Sequence, residues 1–453
     1  MVLEIIKKAL LKIGIDGALA FTILTRLVQG AGGIVSIVFI ARFLSPEEQG
    51  YYYTFASILA IQAFFELGLG SIITQYTAYE FANLKWGANF ELIGEDIYKS
   101  RLSSLLRFCV KWFAIIGGAL FLILLVVGYV FFYRYNKGMD IEWQKPWIIL
   151  CVTTSLNFFI DPVLAFFDGL GFIKDMSKVR LFQKSVFTFL LFVFFACGFK
   201  LYSGGLASLL SISVNYIQII FSPRVKYLKA VWVSKAEWAI SYVKEIFPYQ
   251  WRIAISWISG YFIYQLFNPV LFATEGAKVA GQMGMTLQVI NGISLISLSW
   301  ITTKIPSFSN FIARKEYIKL DELFNHTLKN LLLVNFGLLL FVNITVQLFN
   351  FYHISYAQRF LSLIPLLIMS FTCFLNQMVY SWSAYLRCHK KEPMLMQSIV
   401  VAILITLSTI ILGNKFGVLG IVGGYGFVIT FVSLTWAYYL FKTKKKQWHS
   451  AVA

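Results

Sequence analysis

Amide and ionisable side chains recur inside the long apolar runs of this 453-residue chain. Each is costly there unless it pairs or lines a polar path. In the first run Thr22, Arg26, Gln29 and Gly33 fall at i, i+4, i+7 and i+11, one stripe of a helix. In the second, Gln62 and Glu66 are one turn apart, and in the fourth Asn157, Asp161 and Asp168 share a face. The seventh run carries Arg252, Ser256 and Ser259 on one face and Tyr261, Gln265 and Asn268 on the other, with Gly260 between the sets. This predicts a bend near Gly260 and Pro269, or packing of one set on a neighbour. Lys304 ends the eighth run, and Asn376, Tyr380, Ser383 and Arg387 form a stripe in the tenth.

As cations in a cavity, Arg26, Arg252 and Lys304 suit a pyrophosphate, which would take charge-assisted and bidentate hydrogen bonds from them. Asn157 and Gln62 would then line the translocation path. A second reading pairs Arg26 with Glu66 as a structural ion pair and lets Arg252 and Lys304 snorkel to the interface. Glu66 and Asp161 would carry a coupling ion, H+ or Na+, since burial favours a protonated carboxyl. A hydrogen-bonded structural role is the alternative. No catalytic residue stands out. The five scattered cysteines have no CxxC spacing, which argues against a disulfide framework or metal site. Without a GxxxxGK[ST] run the chain has no visible means of using ATP, and nothing calls for an organic cofactor.

The elements that must position these groups are membrane helices. Hydrophobic residues make up 58% of the chain and charged residues only 13%, with a mean hydropathy of +0.72, against about a quarter charged in soluble chains. Spans are expected near 14–40, 51–75, 108–132, 146–168, 178–198, 203–222, 248–273, 283–303, 328–350, 359–385, 397–413 and 417–441. Each exceeds or approaches the roughly 20 residues a helix needs to cross a hydrocarbon core. The net charge of +18 would suggest nucleic acid in a soluble protein. Here about 30 of the Lys and Arg residues fall on one side of the membrane and about 8 on the other, so both termini are expected in the cytoplasm. Nucleic acid is thereby excluded as a partner, and the lipid bilayer takes its place.

The expected fold is all-α: about 12 transmembrane helices in two pseudo-symmetric six-helix bundles around a central cavity. Residues 1–228 form the first lobe, and 248–453 the second lobe and a basic tail. A cytoplasmic linker at 229–247, with Val231, Trp238 and Tyr242 spaced for an amphipathic helix, joins them. Two weak matches six spans apart support a parallel repeat: 44–51 with 275–282, and 171–176 with 389–394.

The run at 41–52, Ala-Arg-Phe-Leu-Ser-Pro-Glu-Glu-Gln-Gly-Tyr-Tyr, and Phe65-Glu66-Leu67-Gly68-Leu69-Gly70 carry a family resemblance. They are similar to the start of polysaccharide (O-antigen) flippases of the multidrug/oligosaccharidyl-lipid/polysaccharide exporter superfamily. Ser45 stands where that family usually has Gly, and Glu66 where it has Asp. The resemblance implies two lobes in a V and a flippase in the bacterial inner membrane that serves lipopolysaccharide or another surface polysaccharide. Its substrate would be a polyprenyl-pyrophosphate-linked oligosaccharide, and its partners a glycan polymerase and assembly proteins. Other expectations are a multidrug or small-solute antiporter of the same fold, and a membrane polysaccharide polymerase or glycosyltransferase. The last needs a substantial active-site loop outside the membrane, and the outside loops are short.

Overall fold

The computed structural model describes residues 17–136, 138, 140–234, 238, 240–389 and 391–450. The chain is a polytopic all-α membrane protein. Among the described residues, ten helical stretches are long and apolar enough to cross a membrane. The first is α1 (Gly17–Phe43). The second is discontinuous. Helix α2 (Pro46–Leu59) runs into a turn of 3-10 helix, Ala60–Gln62, and a single α-turn, Ala63–Glu66; α3 (Leu69–Phe81) then resumes the crossing. Leu67 and Gly68 between them are left-handed, at φ 48° and 70°. Gly adopts that region without penalty, but Leu67 does so at a cost of roughly 1–3 kcal/mol. The break therefore falls within the Glu-Leu-Gly-Leu run on which the resemblance partly rests.

A short hairpin, β1 (Leu84–Trp86) with β2 (Leu92–Gly94), precedes α4 (Asp96–Tyr135). At 40 residues α4 would span about 60 Å, so its first turns project beyond the hydrocarbon. Then follow α5 (Gln144–Gly169), α6 (Ile173–Ala196), α7 (Tyr202–Ile220) and the short α8 (Val225–Val233). Helices α9 (Phe247–Tyr264) and α10 (Phe267–Thr274) lie in tandem where the seventh span is expected. Next come α11 (Ala277–Thr302), α12 (Ile305–Ala313), α13 (Tyr317–Phe351) and α14 (Leu363–Arg387). Helix α15 (Leu395–Phe427) is continued by α16 (Leu434–Ser450). Gly417, at φ 56° and ψ −136°, reverses the chain inside α15. Gln397 donates to the Ser433 carbonyl and hydroxyl at 2.9 and 3.0 Å, and a Cβ on Gly424 would lie 3.0 Å from that of Ser408. One long stretch thus supplies both spans expected at 397–413 and 417–441.

The expected amphipathic helix over 229–247 forms only in part. Helix α8 ends at Val233, and Ser234 is extended. Hydroxyls on α4 take over the backbone partners: Ser100 and Ser104 accept from the Trp238 and Ile240 amides at 2.8 and 3.0 Å, and Ser103 donates to the Ser234 carbonyl at 3.0 Å. The segment is stitched along α4 because its backbone groups find better partners there than in a helix of their own.

Two compact units divide the chain. The first comprises Met1–Phe39, Leu59–Arg134 and Asp140–Trp257. In it α3 packs on α5 with almost no side chain between them: Thr74 donates to the Ala165 carbonyl, and a Cβ on Gly169 would lie 2.4 Å from Thr77. Such close approach supplies the van der Waals contact that holds helices together in lipid. The second unit comprises Ile40–Ile58, Tyr135–Met139 and Ile258–Ala453. Its core gathers Ile301, Phe308, Leu320, Phe324, Leu331 and Tyr385. In it α2 lies against α11 through glycines: a Cβ on Gly50 would sit 1.9 Å from the Ala277 carbonyl oxygen, and one on Gly281 2.9 Å from the Gly50 nitrogen. The two segments read as a repeat, 44–51 and 275–282, thus pack on each other.

Candidate functional site

The first unit holds a polar cavity of about 530 Å³, built from one face each of three helices and a turn. Helix α1 contributes Thr25, Arg26 and Gln29, and the 3-10 turn contributes Gln62. Helix α5 contributes Thr154, Asn157 and Asp161 at i, i+3 and i+7; α6 contributes Ser177, Arg180 and Lys184 at the same spacing. Pro162 follows Asp161 inside α5, and its missing N–H frees a carbonyl one turn earlier.

An amide chain fixes one wall. Gln183 donates to the Asn157 side-chain oxygen at 3.0 Å, and Asn215 on α7 donates to the Gln183 oxygen at 3.1 Å. Asn157 also donates to the Thr153 carbonyl at 3.0 Å. Asn215 is 1% exposed, and its own side-chain oxygen has no partner among the described residues. Arg180 forks onto Asp168, Nη2 to Oδ2 at 2.6 Å and Nη1 to Oδ1 at 3.3 Å. This bidentate pair fixes the guanidinium at the cavity edge. Among the described residues, no hydrogen bond or ion pair closer than 4 Å engages Arg26 or Lys184. Lys184 and Arg180 are near enough to Asp161 to attract it, and Glu66 is near enough to feel its charge. No ion pair joins Arg26 to Glu66 among the described residues.

The other candidates lie elsewhere. Lys304 belongs to the second unit, exposed at the turn between α11 and α12. Arg252 is in the first turns of α9, and its side chain lies outside the described residues, as does that of Thr22. On the far side of Gly260 the break falls at Gln265 and Leu266, and Asn268 donates to the Ser57 hydroxyl on α2 at 3.1 Å. Asn268 of that polar set therefore packs on a neighbour.

No family model matches the sequence, and no curated protein matches it closely enough to count. Solved structures do. An inward-facing multidrug resistance MATE family transporter of the MOP superfamily aligns over 95% of this chain and 98% of its own, with TM-score 0.59 and 14% identity. The lipid II flippase MurJ in an inward closed conformation aligns over 94% and 87%, with TM-score 0.63 and 14% identity. This chain has the fold of those transporters.

Within that fold, the 44–51 motif has a structural explanation. Ser45 and Glu48 form a reciprocal capping box at the start of α2: the Glu48 amide donates to the Ser45 hydroxyl at 3.1 Å, and the Ser45 amide to the Glu48 carboxylate at 2.8 Å. Gln49 donates to the Gly281 carbonyl at 2.7 Å, and Arg359 to the Leu44 carbonyl at 2.6 Å. Tyr51 hydrogen-bonds Asn136. These residues tie separate segments of the second unit together and line no part of the polar cavity.

Sequence reasoning missed Arg180, Gln183, Lys184 and Asn215. Arg180 and Lys184 fall inside the span expected at 178–198, where the sequence reading assigned no polar stripe. Their spacing with Ser177 was the available signal, since i, i+3 and i+7 put them on one face as surely as the stripe of α1. A second missed group lies outside the membrane. Arg101 on α4 bonds Glu80 at 2.9 Å and Glu245 at 2.6 Å, and the Glu245 carbonyl accepts from Tyr76 at 2.6 Å. Partial burial alone would raise the Glu245 carboxyl, but hydrogen bonds from Arg101 and the Ser241 amide, with the Arg101 charge, hold it below the usual range.

Proposed function

We propose that this protein is a transporter of the MOP superfamily that flips a polyprenyl-pyrophosphate-linked oligosaccharide across the bacterial inner membrane. Two six-helix lobes, 1–228 and 248–453, alternate access. An H+ or Na+ gradient gives direction through Glu66 and Asp161. The observation that carries this reading is the charge of the polar cavity: Arg26, Arg180 and Lys184 line it against Asp161. A cationic lining at membrane depth is stabilised by a polyanion and penalises an organic cation. Asn157, Gln183 and Gln62 add the donors and acceptors that sugar hydroxyls need. Arg252 and Lys304 are held as further cations of the path.

Multidrug transport is the second reading, favoured by the likeness to the MATE fold. Because one fold hosts several substrates, the site has to decide. Replacement of Arg26 with Ala should abolish surface glycan per unit of inserted protein, and Lys should restore part of it by keeping charge without the planar fork. Normal glycan export by well-inserted Arg26→Ala, with loss of drug resistance in the same strain, would establish the second reading instead.

A further inference from the structure

A second cavity of about 620 Å³ lies beside the polar one, along the same pair of helices. Its apolar surface includes Phe21 of α1, Leu181 and Phe182 of α6, and Ile219 of α7; Lys178 and Arg224 provide cations. The two helices pack closely around Gly32 and Phe39. A Cβ on Gly32 would lie 2.8 Å from Thr188, and Phe39 stacks on Phe192 with centroids 4.6 Å apart. Nearer its start α6 presents two faces. Lys178, Phe182 and Ser185 line the apolar groove, and Ser177, Arg180 and Lys184 line the polar cavity. On α1 the same change occurs within one turn, from Phe21 in the groove to Thr25 and Arg26 in the cavity. Arg224 is offset by Asp175 at 2.8 Å. Lys178 has no acidic partner among the described residues; its ammonium lies 5.3 Å from the Phe21 ring centroid.

An apolar groove that turns into a cationic cavity across one helix pair fits an amphiphile with a long hydrocarbon chain and a polyanionic head. We propose that the seam between α1 and α6 is a lateral port for a prenyl pyrophosphate. The prenyl chain lies along Phe21, Phe182 and Ile219, while the pyrophosphate reaches past Lys178 to Arg26 and Lys184. The port rests on the flippase reading and adds the route by which such a substrate leaves the bilayer. The chain never enters the polar cavity, so its hydrocarbon stays in an apolar surrounding throughout.

The test uses the full chain in lipid nanodiscs and geranylgeranyl pyrophosphate with a diazirine at the end of its chain. Labelled residues are mapped by mass spectrometry. Label should concentrate in 173–196 and 202–220 and be displaced by unlabelled probe. The corresponding prenol, lacking the anion, should label diffusely. Ser185→Trp fills the groove without adding charge and should reduce the groove label at least tenfold. Phe182→Asp, which makes the groove polar, should do the same, and both should insert normally. Three results would each overturn the port: label on the outer faces of α4 or α13 instead, label equal to that of the prenol, or groove label unchanged in both variants. If Arg26→Ala abolishes glycan export while the groove stays unlabelled, the port alone fails. If Arg26→Ala exports normally, the flippase reading fails whatever the label shows.

Discussion

Gly50 shows how little space separates helices here. The Ala277 carbonyl occupies the place of any Cβ at that position, and it belongs to the backbone of α11, which cannot swing aside as a side chain would. Gly50→Ala should therefore cost about 1–3 kcal/mol, read as a lower thermal midpoint in detergent. Gly30 is the control, because nothing lies within 4 Å of a Cβ there. Gly30→Ala should hold the midpoint or raise it slightly through helix propensity. At this scale the sequence was legible where polar residues interrupted an apolar run, as at Arg26, Gln62 and Asn157. It was illegible for cations in a span where no polar stripe was read. Lys184 falls inside the span expected at 178–198 and stands out only once α5 and α1 are seen to face it.

Between elements, a few polar contacts set what packing alone leaves open. Arg101 joins α3, α4 and the segment before α9, and Glu80 is 1% exposed beneath it. Arg101→Gln strands that carboxylate, and loss of a buried partner costs about 3–5 kcal/mol. The double variant with Glu80→Gln should recover part of the loss in a thermal-midpoint cycle. Losses that simply add in the double variant would mean that the Arg101–Glu80 pair contributes nothing of its own. A histidine pair does similar work at the tail. His389 and His449 have centroids 5.7 Å apart; Lys445 bonds Asp321 at 2.8 Å, and Tyr385 bonds the same carboxylate at 2.7 Å. Burial pushes the His389 imidazole below its ordinary value, and His449 and Lys391 act in the same sense against its hydrogen bond to the Tyr385 carbonyl. Docking of α16 therefore gains stability above the ordinary histidine value and loses it as pH falls through the depressed one. Acidification should expose Trp448, which packs on His389 with centroids 4.9 Å apart, and shift its fluorescence to the red. His389→Gln should weaken that response, with the remainder carried by His449, whose imidazole burial also holds below its ordinary value. The partial helix over 229–247 teaches the converse: periodicity suggested a helix, but the Ser100, Ser103 and Ser104 hydroxyls that extend it are far away in sequence.

For the whole molecule, apolar length was sufficient to recover the all-α membrane fold. Boundaries agree closely for α5, α6 and α7, even though only Lys200, Leu201 and Tyr202 separate two of the expected spans. The break at Leu67 and Gly68 was illegible because the surrounding run is apolar enough for one continuous helix. The charge bias gives a prediction at this scale. Cysteines placed at Lys174 and Lys319 should react only with reagent admitted to the cytoplasm, and one at Arg134 only with reagent outside. External labelling of either lysine position would reverse the orientation.

The reversal at Gly417 bears on how the chain is made. Gln397 is a poor passenger for a single apolar segment leaving the insertion machinery, since its amide would face hydrocarbon unpaired. Its partner, Ser433, is synthesised 36 residues later, on the returning arm of the same hairpin. The two arms would therefore leave the translocon as a pair, with the ribosome having read past residue 433 before residue 397 is released to lipid. A chain that stops short of the second arm would strand the first, and a quality-control protease that recognises polar groups in the bilayer would find Gln397 exposed.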